Sequence, residues 1–341
     1  MVDFKKLTDS PDYSFLKENP DLKDNIILLT LGGSYAYGTN IEGSDIDIRG
    51  IAYNRKSDLL GLGLNPFEQF VETNTDTTIY SLNKIVKLLV SCNPNTIEML
   101  GCKPEHYFML NDDGKMLLEN KEIFLSKKAI GSFGGYAGQQ LNRMLNALAR
   151  DSYEQREREE HILRSLKGAM NSFNERYSCF ESGHINLFIG PSSKENMDAE
   201  IRADISLNNY PLRDFNGILN ELGSIARTYN KCNHRSHKKD DAHLNKHAMH
   251  LVRLFLMGTD IIENKNIITY REKEHDLLMS IRNGYFQKED HTYRPEFFEL
   301  IDNLQKKMEY AARNTELPEN PDYDRISELL YEINFRRIRR N

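Results

Sequence analysis

Residues 31–51, LGGSYAYGTNIEGSDIDIRGI, constrain the fold more than any other stretch of the chain. The segment leading into them, NIILLTL at 25–31, is a near-continuous apolar run of strand length, the pattern of a strand covered on both faces. A Gly-Gly-Ser turn and a short helical start follow. The next segment, SDIDIRGIAYN, alternates with period two and predicts a second strand. Asp45, Asp47 and Arg49 then share one face, with Ile46 and Ile48 on the other. Two carboxylates so placed repel each other, and each is disfavoured unless something positive stands between them. A divalent cation is the simplest candidate.

An isolated D-x-D at a strand end has a plainer role, capping nearby backbone amides. The neighbouring turn changes that reading. A Gly-Gly-Ser turn between a buried strand and a helix presents backbone N–H groups to an anion such as phosphate. Carboxylates facing that turn suit Mg²⁺, which takes a few carboxylates plus substrate phosphate oxygens. The two halves together describe a nucleoside triphosphate–metal site.

FEQFVETNTDTTIYSL predicts a third strand region, and SLNKIVKLLVSC a helix with Leu82, Ile85, Val86, Leu89 and Val90 at helical spacing. A further helix is expected after Pro94. Beyond about residue 120 the pattern is helical, apart from an ambiguous stretch at 178–210 that reads as a hairpin insertion or a loop. The expected fold is therefore an α/β (α+β) domain with a mixed sheet over residues 1–120, followed by a helical domain over 121–341. With 341 residues the chain has room for both. It lacks a long apolar run or a signal-type N-terminus, so a cytoplasmic protein without a membrane role is expected. Cys92, Cys102, Cys179 and Cys232 form no C-x-x-C pair and are expected to be reduced and mostly buried. The net charge of −6 does not advertise a general nucleic-acid binder, although residues 231–253 hold six Lys or Arg and five of the ten histidines.

The arrangement G-S-x₉-S-D-x-D resembles that of the DNA polymerase beta nucleotidyltransferase superfamily. GGSYAYGTNIEGSDIDIRGI, with DTTIYSLNKIVKLLVSCNPNTIEMLG and KHAMHLVRLFLMGTDIIE, is similar to the nucleotidyltransferases found beside RNA ligase and RNA repair genes in bacteria and phages. That resemblance implies a palm-like catalytic domain in which Gly33 and Ser34, beside Ser44, contact the nucleotide phosphates. Asp45 and Asp47 would ligate two Mg²⁺ ions, with Mn²⁺ as a substitute. A third carboxylate from the next strand would complete the catalytic and metal set; Asp76 is the choice and Glu72 the runner-up. Arg49 would touch the nucleotide or pair with Asp47. Lys246, His247, His250 and Arg253 match a K-H-x-x-H-x-x-R stretch, of which Lys246, His250 and Arg253 are taken as nucleotide-binding.

His243, His247 and His250 fall at i, i+4 and i+7 on one helical face, and with His234 and His237 they could hold zinc. No known zinc spacing accompanies them. The closing FRRIRR reads as an RNA contact or a disordered tail. The function implied is transfer of a nucleoside monophosphate from an NTP to a hydroxyl, with tRNA or another RNA end as the expected acceptor and partner. A protein hydroxyl is the alternative acceptor, and a nucleotide- or RNA-binding module without catalysis is the alternative class.

Overall fold

The computed structural model describes residues 8–152, 156–157, 159–160, 162–164, 166, 184–193, 198–208, 210–233 and 241–339. Two compact units emerge. One comprises Met1–Gly138, Met249–Ser280 and Glu299–Asn341, and the other Gln139–Ala248 and Ile281–Phe298.

The first unit is built on a five-stranded mixed sheet. Its strands are β1 (Ile26–Leu31), β2 (Ile48–Ala52), β3 (Gln69–Glu72), β4 (Thr77–Ser81) and β5 (Tyr107–Leu110), ordered β3-β4-β2-β1-β5. β2 and β4 run parallel, and the other neighbours are antiparallel. β1 is buried as its composition requires, with Ile27, Leu28 and Leu29 wholly inside. Gly50 of β2 lets the two strands pack closely: a Cβ there would stand 2.4 Å from the Leu29 side chain. Between β1 and β2 lies α1 (Gly33–Tyr37), ended by Gly38 in the left-handed region. β4 runs directly into α2 (Leu82–Val90), capped by the Ser81 hydroxyl, which accepts from the Lys84 N–H at 3.3 Å. Of the expected apolar residues of α2, Leu82, Ile85, Val86 and Leu89 are buried and Val90 is half-buried.

Three sequence expectations change. The third strand region expected within 67–82 is a hairpin, β3 and β4, joined through residues 73–76. The second strand begins at Ile48, so Asp45 and Asp47 belong to the extended segment leading into it. β5 was not expected, because YFML is too short to show a period.

The helices after residue 120 include α3 (Lys128–Ser152), α4 (Phe215–Asn233), α5 (Asp241–Asn264) and α6 (Tyr323–Arg339). The stretch at 178–210, where described, is a hairpin: β6 (His184–Pro191) against β7 (Ala199–Ser206). Ile218, Leu222 and Ile225 of α4 pack with Ile185 and Leu187 of β6 within the second unit. The units do not divide at residue 120, because α5 and α6 supply buried contacts to the sheet-bearing unit. Arg253 on α5 pairs with Glu98, and Arg336 on α6 pairs with the fully buried Asp113. The described part of the closing basic run thus makes contacts within the first unit. Arg337 also donates to Asn25 and stands 5.5 Å over the Tyr53 ring. Among the described residues no helix is long and apolar enough to cross a membrane.

Candidate active site

The end of β1 and the start of β2 meet at a close backbone approach. The Gly32 N–H donates to the Asp47 carbonyl at 2.8 Å, continuing the β1–β2 ladder past Leu31 and Ile48. Gly33 has φ +52°, and a Cβ there would stand 1.8 Å from Oδ2 of Asp47. Glycine is thus required twice at position 33, once by the backbone and once by the carboxylate against it. The first N–H groups of α1 have no partner along the helix, as at any helix start. The Ser34 hydroxyl makes no hydrogen bond among the described residues.

Asp76 precedes β4 as Asp47 precedes β2, and the parallel register Ile48↔Thr77 makes the two neighbours. The Ile48 N–H donates to the Asp76 carbonyl at 3.2 Å. The positive group between these carboxylates is Arg49. Its Nη2 lies 3.1 Å from Oδ1 of Asp47 and 3.4 Å from Oδ1 of Asp76. Its Nη1 donates to the Asp76 carbonyl at 2.6 Å and the Ile48 carbonyl at 3.0 Å. Asp47 and Arg49 are largely shielded, whereas the Asp76 side chain is 59% exposed.

Asp45 is exposed and makes no hydrogen bond or ion pair among the described residues. Ile46, between the two aspartates, packs with Ile48 in the core, so the expected alternation survives although the strand starts later. Asp45, Glu72 and Asp76 line one recess of about 780 Å³, together with Tyr13 and Phe15. Within it Glu72 closes the β3–β4 turn, accepting from the Asn74 N–H at 3.1 Å, whereas Asp76 reaches Arg49. Ser44 is also spent on a turn: its hydroxyl accepts from the Ile41 N–H at 2.9 Å.

The donors at Asp45, Asp47 and Asp76 are all hard carboxylate oxygens, the chemistry that suits Mg²⁺ or Mn²⁺. The arrangement differs from a loaded site in one respect, since Arg49 takes up Asp47 and Asp76. In keeping with that, no group of three or more His, Cys, Asp or Glu side chains converges on a common point among the described residues.

α5 distributes the basic stretch between two environments. Arg253 is 1% exposed and pairs with Glu98 at 3.0 Å. Its guanidinium lies 3.6 Å over the Tyr37 ring, and Nη2 donates to Nδ1 of His250 at 2.8 Å. The Tyr37 hydroxyl donates to the same Glu98 carboxylate. Burial, and then the charge and hydrogen bond of Glu98, push the Tyr37 phenol well above its ordinary range against the lowering effect of Arg253. Tyr37 is the last residue of α1, so this cluster anchors the far end of the Gly33–Ser34 turn. Sequence reasoning missed both Glu98 and Tyr37; the signal available was their position inside the two motif segments.

Lys246 is exposed and belongs, with His247, to the second unit, where His247 lies 3.1 Å from the Gln140 amide. His234 and His237 lie outside the described residues. Cys92 and Cys102 are free, and burial pushes the Cys102 thiol up to about 12.

A mixed sheet, a glycine turn at the end of its buried strand and carboxylates leading into the next strands make up this site. Residues 14–169 match the model of the RNA repair pathway DNA polymerase beta family, and the match supports a polymerase beta-like nucleotidyltransferase associated with RNA repair. No curated protein and no solved structure matches the chain.

Proposed function

We propose that the protein transfers a nucleoside monophosphate from an NTP to an acceptor hydroxyl at an RNA 3′ end and releases pyrophosphate. The observation that carries this reading is the contact between the Gly33 turn and Asp47. It brings a phosphate-binding backbone to a carboxylate so closely that only glycine fits. The RNA acceptor is supported by the description of the matched family.

In this reading the N–H groups of the turn and the unpartnered Ser34 hydroxyl take the β- and γ-phosphates. The acceptor oxygen forms a new bond to the α-phosphorus while the bond to the pyrophosphate oxygen breaks. The hydroxyl proton passes to the carboxylate of Asp76, whose exposure lets it return the proton to water. Asp45, Asp47 and Asp76 would hold Mg²⁺ or Mn²⁺, which when bound supplies charge stabilisation to the attacking and leaving oxygens.

The test is incubation with each labelled NTP and Mg²⁺, with RNA bearing a free or a blocked 3′ hydroxyl. Label on RNA that disappears with the blocked end is the expected result. Label on protein would assign a protein acceptor instead, and no label anywhere would refute catalysis.

A further inference from the structure

We propose that Arg49 is a counter-ion to Asp47 and Asp76 that competes with a divalent cation for these carboxylates and releases them when nucleotide and metal enter. The proposal rests on the nucleotidyltransfer reading and adds a second role to Arg49, beyond a simple partner for Asp47.

One guanidinium makes four polar contacts here, to two carboxylates and two carbonyls. It thereby offsets the repulsion between Asp47 and Asp76. The same contacts engage one oxygen of each carboxylate. A metal on these carboxylates and this guanidinium repel each other, so the binding of one weakens the hold of the other.

Geometry also limits where Arg49 can go. Its Cγ packs against Gly32, where a Cβ would stand only 2.9 Å away. The stem of the side chain is therefore fixed beside the glycine turn, and only the guanidinium end is free to rotate away from Asp76. A guanidinium displaced from this position stays next to the turn, where a triphosphate offers new acceptors in the planar, two-pronged geometry that arginine prefers. Arg49 would thus exchange carboxylates for phosphates, coupling nucleotide entry to the unmasking of Asp47 and Asp76. Asp45, exposed and unpaired, is left as the first carboxylate a cation meets.

The experiment is a Mn²⁺ titration of the nucleotide-free full chain, followed by the paramagnetic resonance of free Mn²⁺, for wild type, Arg49→Gln and Arg49→Lys. Arg49→Gln should bind Mn²⁺ at least about tenfold tighter than wild type, the weight of one charge-assisted contact. Arg49→Lys, which keeps the charge but cannot bridge both carboxylates, should fall between them. Adding Asp47→Asn to Arg49→Gln should remove the gain. Equal or weaker binding by Arg49→Gln overturns the proposal while leaving the metal-dependent reading intact. If Arg49→Gln does not fold, an Arg49→Lys affinity no tighter than wild type overturns it equally. Absence of Mn²⁺ binding in all three proteins refutes the proposal and the metal-dependent reading together.

Discussion

Replacing Arg253 distinguishes a residue that binds phosphate from one that builds the site. Its guanidinium is buried, paired with Glu98, stacked on Tyr37 and bonded to His250. Arg253→Met keeps the length of the stem but strands the buried Glu98 carboxylate, which retains only the Tyr37 hydroxyl among these partners. Removing one partner of a buried ion pair costs about 3–5 kcal/mol, because the other charge remains desolvated. For a unit of this size that corresponds to a fall in melting temperature of roughly 6–20 °C. Glu98→Gln in the same background removes the stranded charge and should recover part of the loss, giving a coupling energy of roughly 1–3 kcal/mol in a double-mutant cycle. The assay is thermal denaturation of all four proteins, with calorimetric titration of NTP on those that remain folded. A phosphate-binding role predicts the opposite pattern: little change in melting and a ten- to hundredfold loss of affinity, the weight of about 1.5–3 kcal/mol for a charge-assisted contact. That second pattern would refute the placement of Arg253 in the core.

Two further outcomes follow from the geometry. Gly33→Ala should destabilise by about 2–3 kcal/mol in chemical denaturation, since the left-handed backbone costs roughly 1–2 kcal/mol and the new Cβ displaces Asp47 from Arg49; an unchanged midpoint would mean that the turn tolerates a side chain. His106 is buried without a partner for Nδ1, and burial lowers its pKa below 6.5, against a smaller opposing effect of Glu105. The unfolded chain therefore binds the extra proton first, so this residue's contribution to stability is complete above about pH 6.5 and falls as the pH drops below it. His106→Phe, which keeps an aromatic ring beside Tyr270, should lose less stability than wild type between pH 7 and 5; parallel pH profiles would exclude His106 as a source of acid sensitivity.

What could be read from the sequence depended on whether a feature was local. The apolar run of β1, the period-two alternation through Ile46 and Ile48, and the helical face of α2 are local and were legible. So were the glycine turn and the D-x-D. Asp76 was chosen over Glu72 on its place in a motif. The structure puts Asp76 beside Asp47 and Arg49, and uses Glu72 to close a turn. β5 and the β3–β4 hairpin were not legible, because short strands gain their identity from the neighbours they pair with.

The least legible feature is the assignment of charges to partners. At i and i+2 the sequence could show only that Arg49 shares a side with Asp47. Whether the guanidinium would meet Asp47, a phosphate or solvent depended on Asp76, 27 positions away and brought alongside by the parallel β2–β4 pairing. The same holds for Arg253, whose helical spacing suggested a basic face. Glu98, 155 positions earlier, turns that residue inward. A buried cation costs so much without a partner that the partner's location decides its role, and that location is a property of topology. Arg253 was expected at the nucleotide and Arg49 either there or paired with Asp47, and in the structure both are engaged by carboxylates. They differ in what it takes to free them. Arg49 is held by two acidic groups, one of them well exposed, next to an open recess, whereas Arg253 is sealed in the core. Of the two, only Arg49 can change partners without unfolding its surroundings, and a substrate-dependent step at this site therefore falls to Arg49.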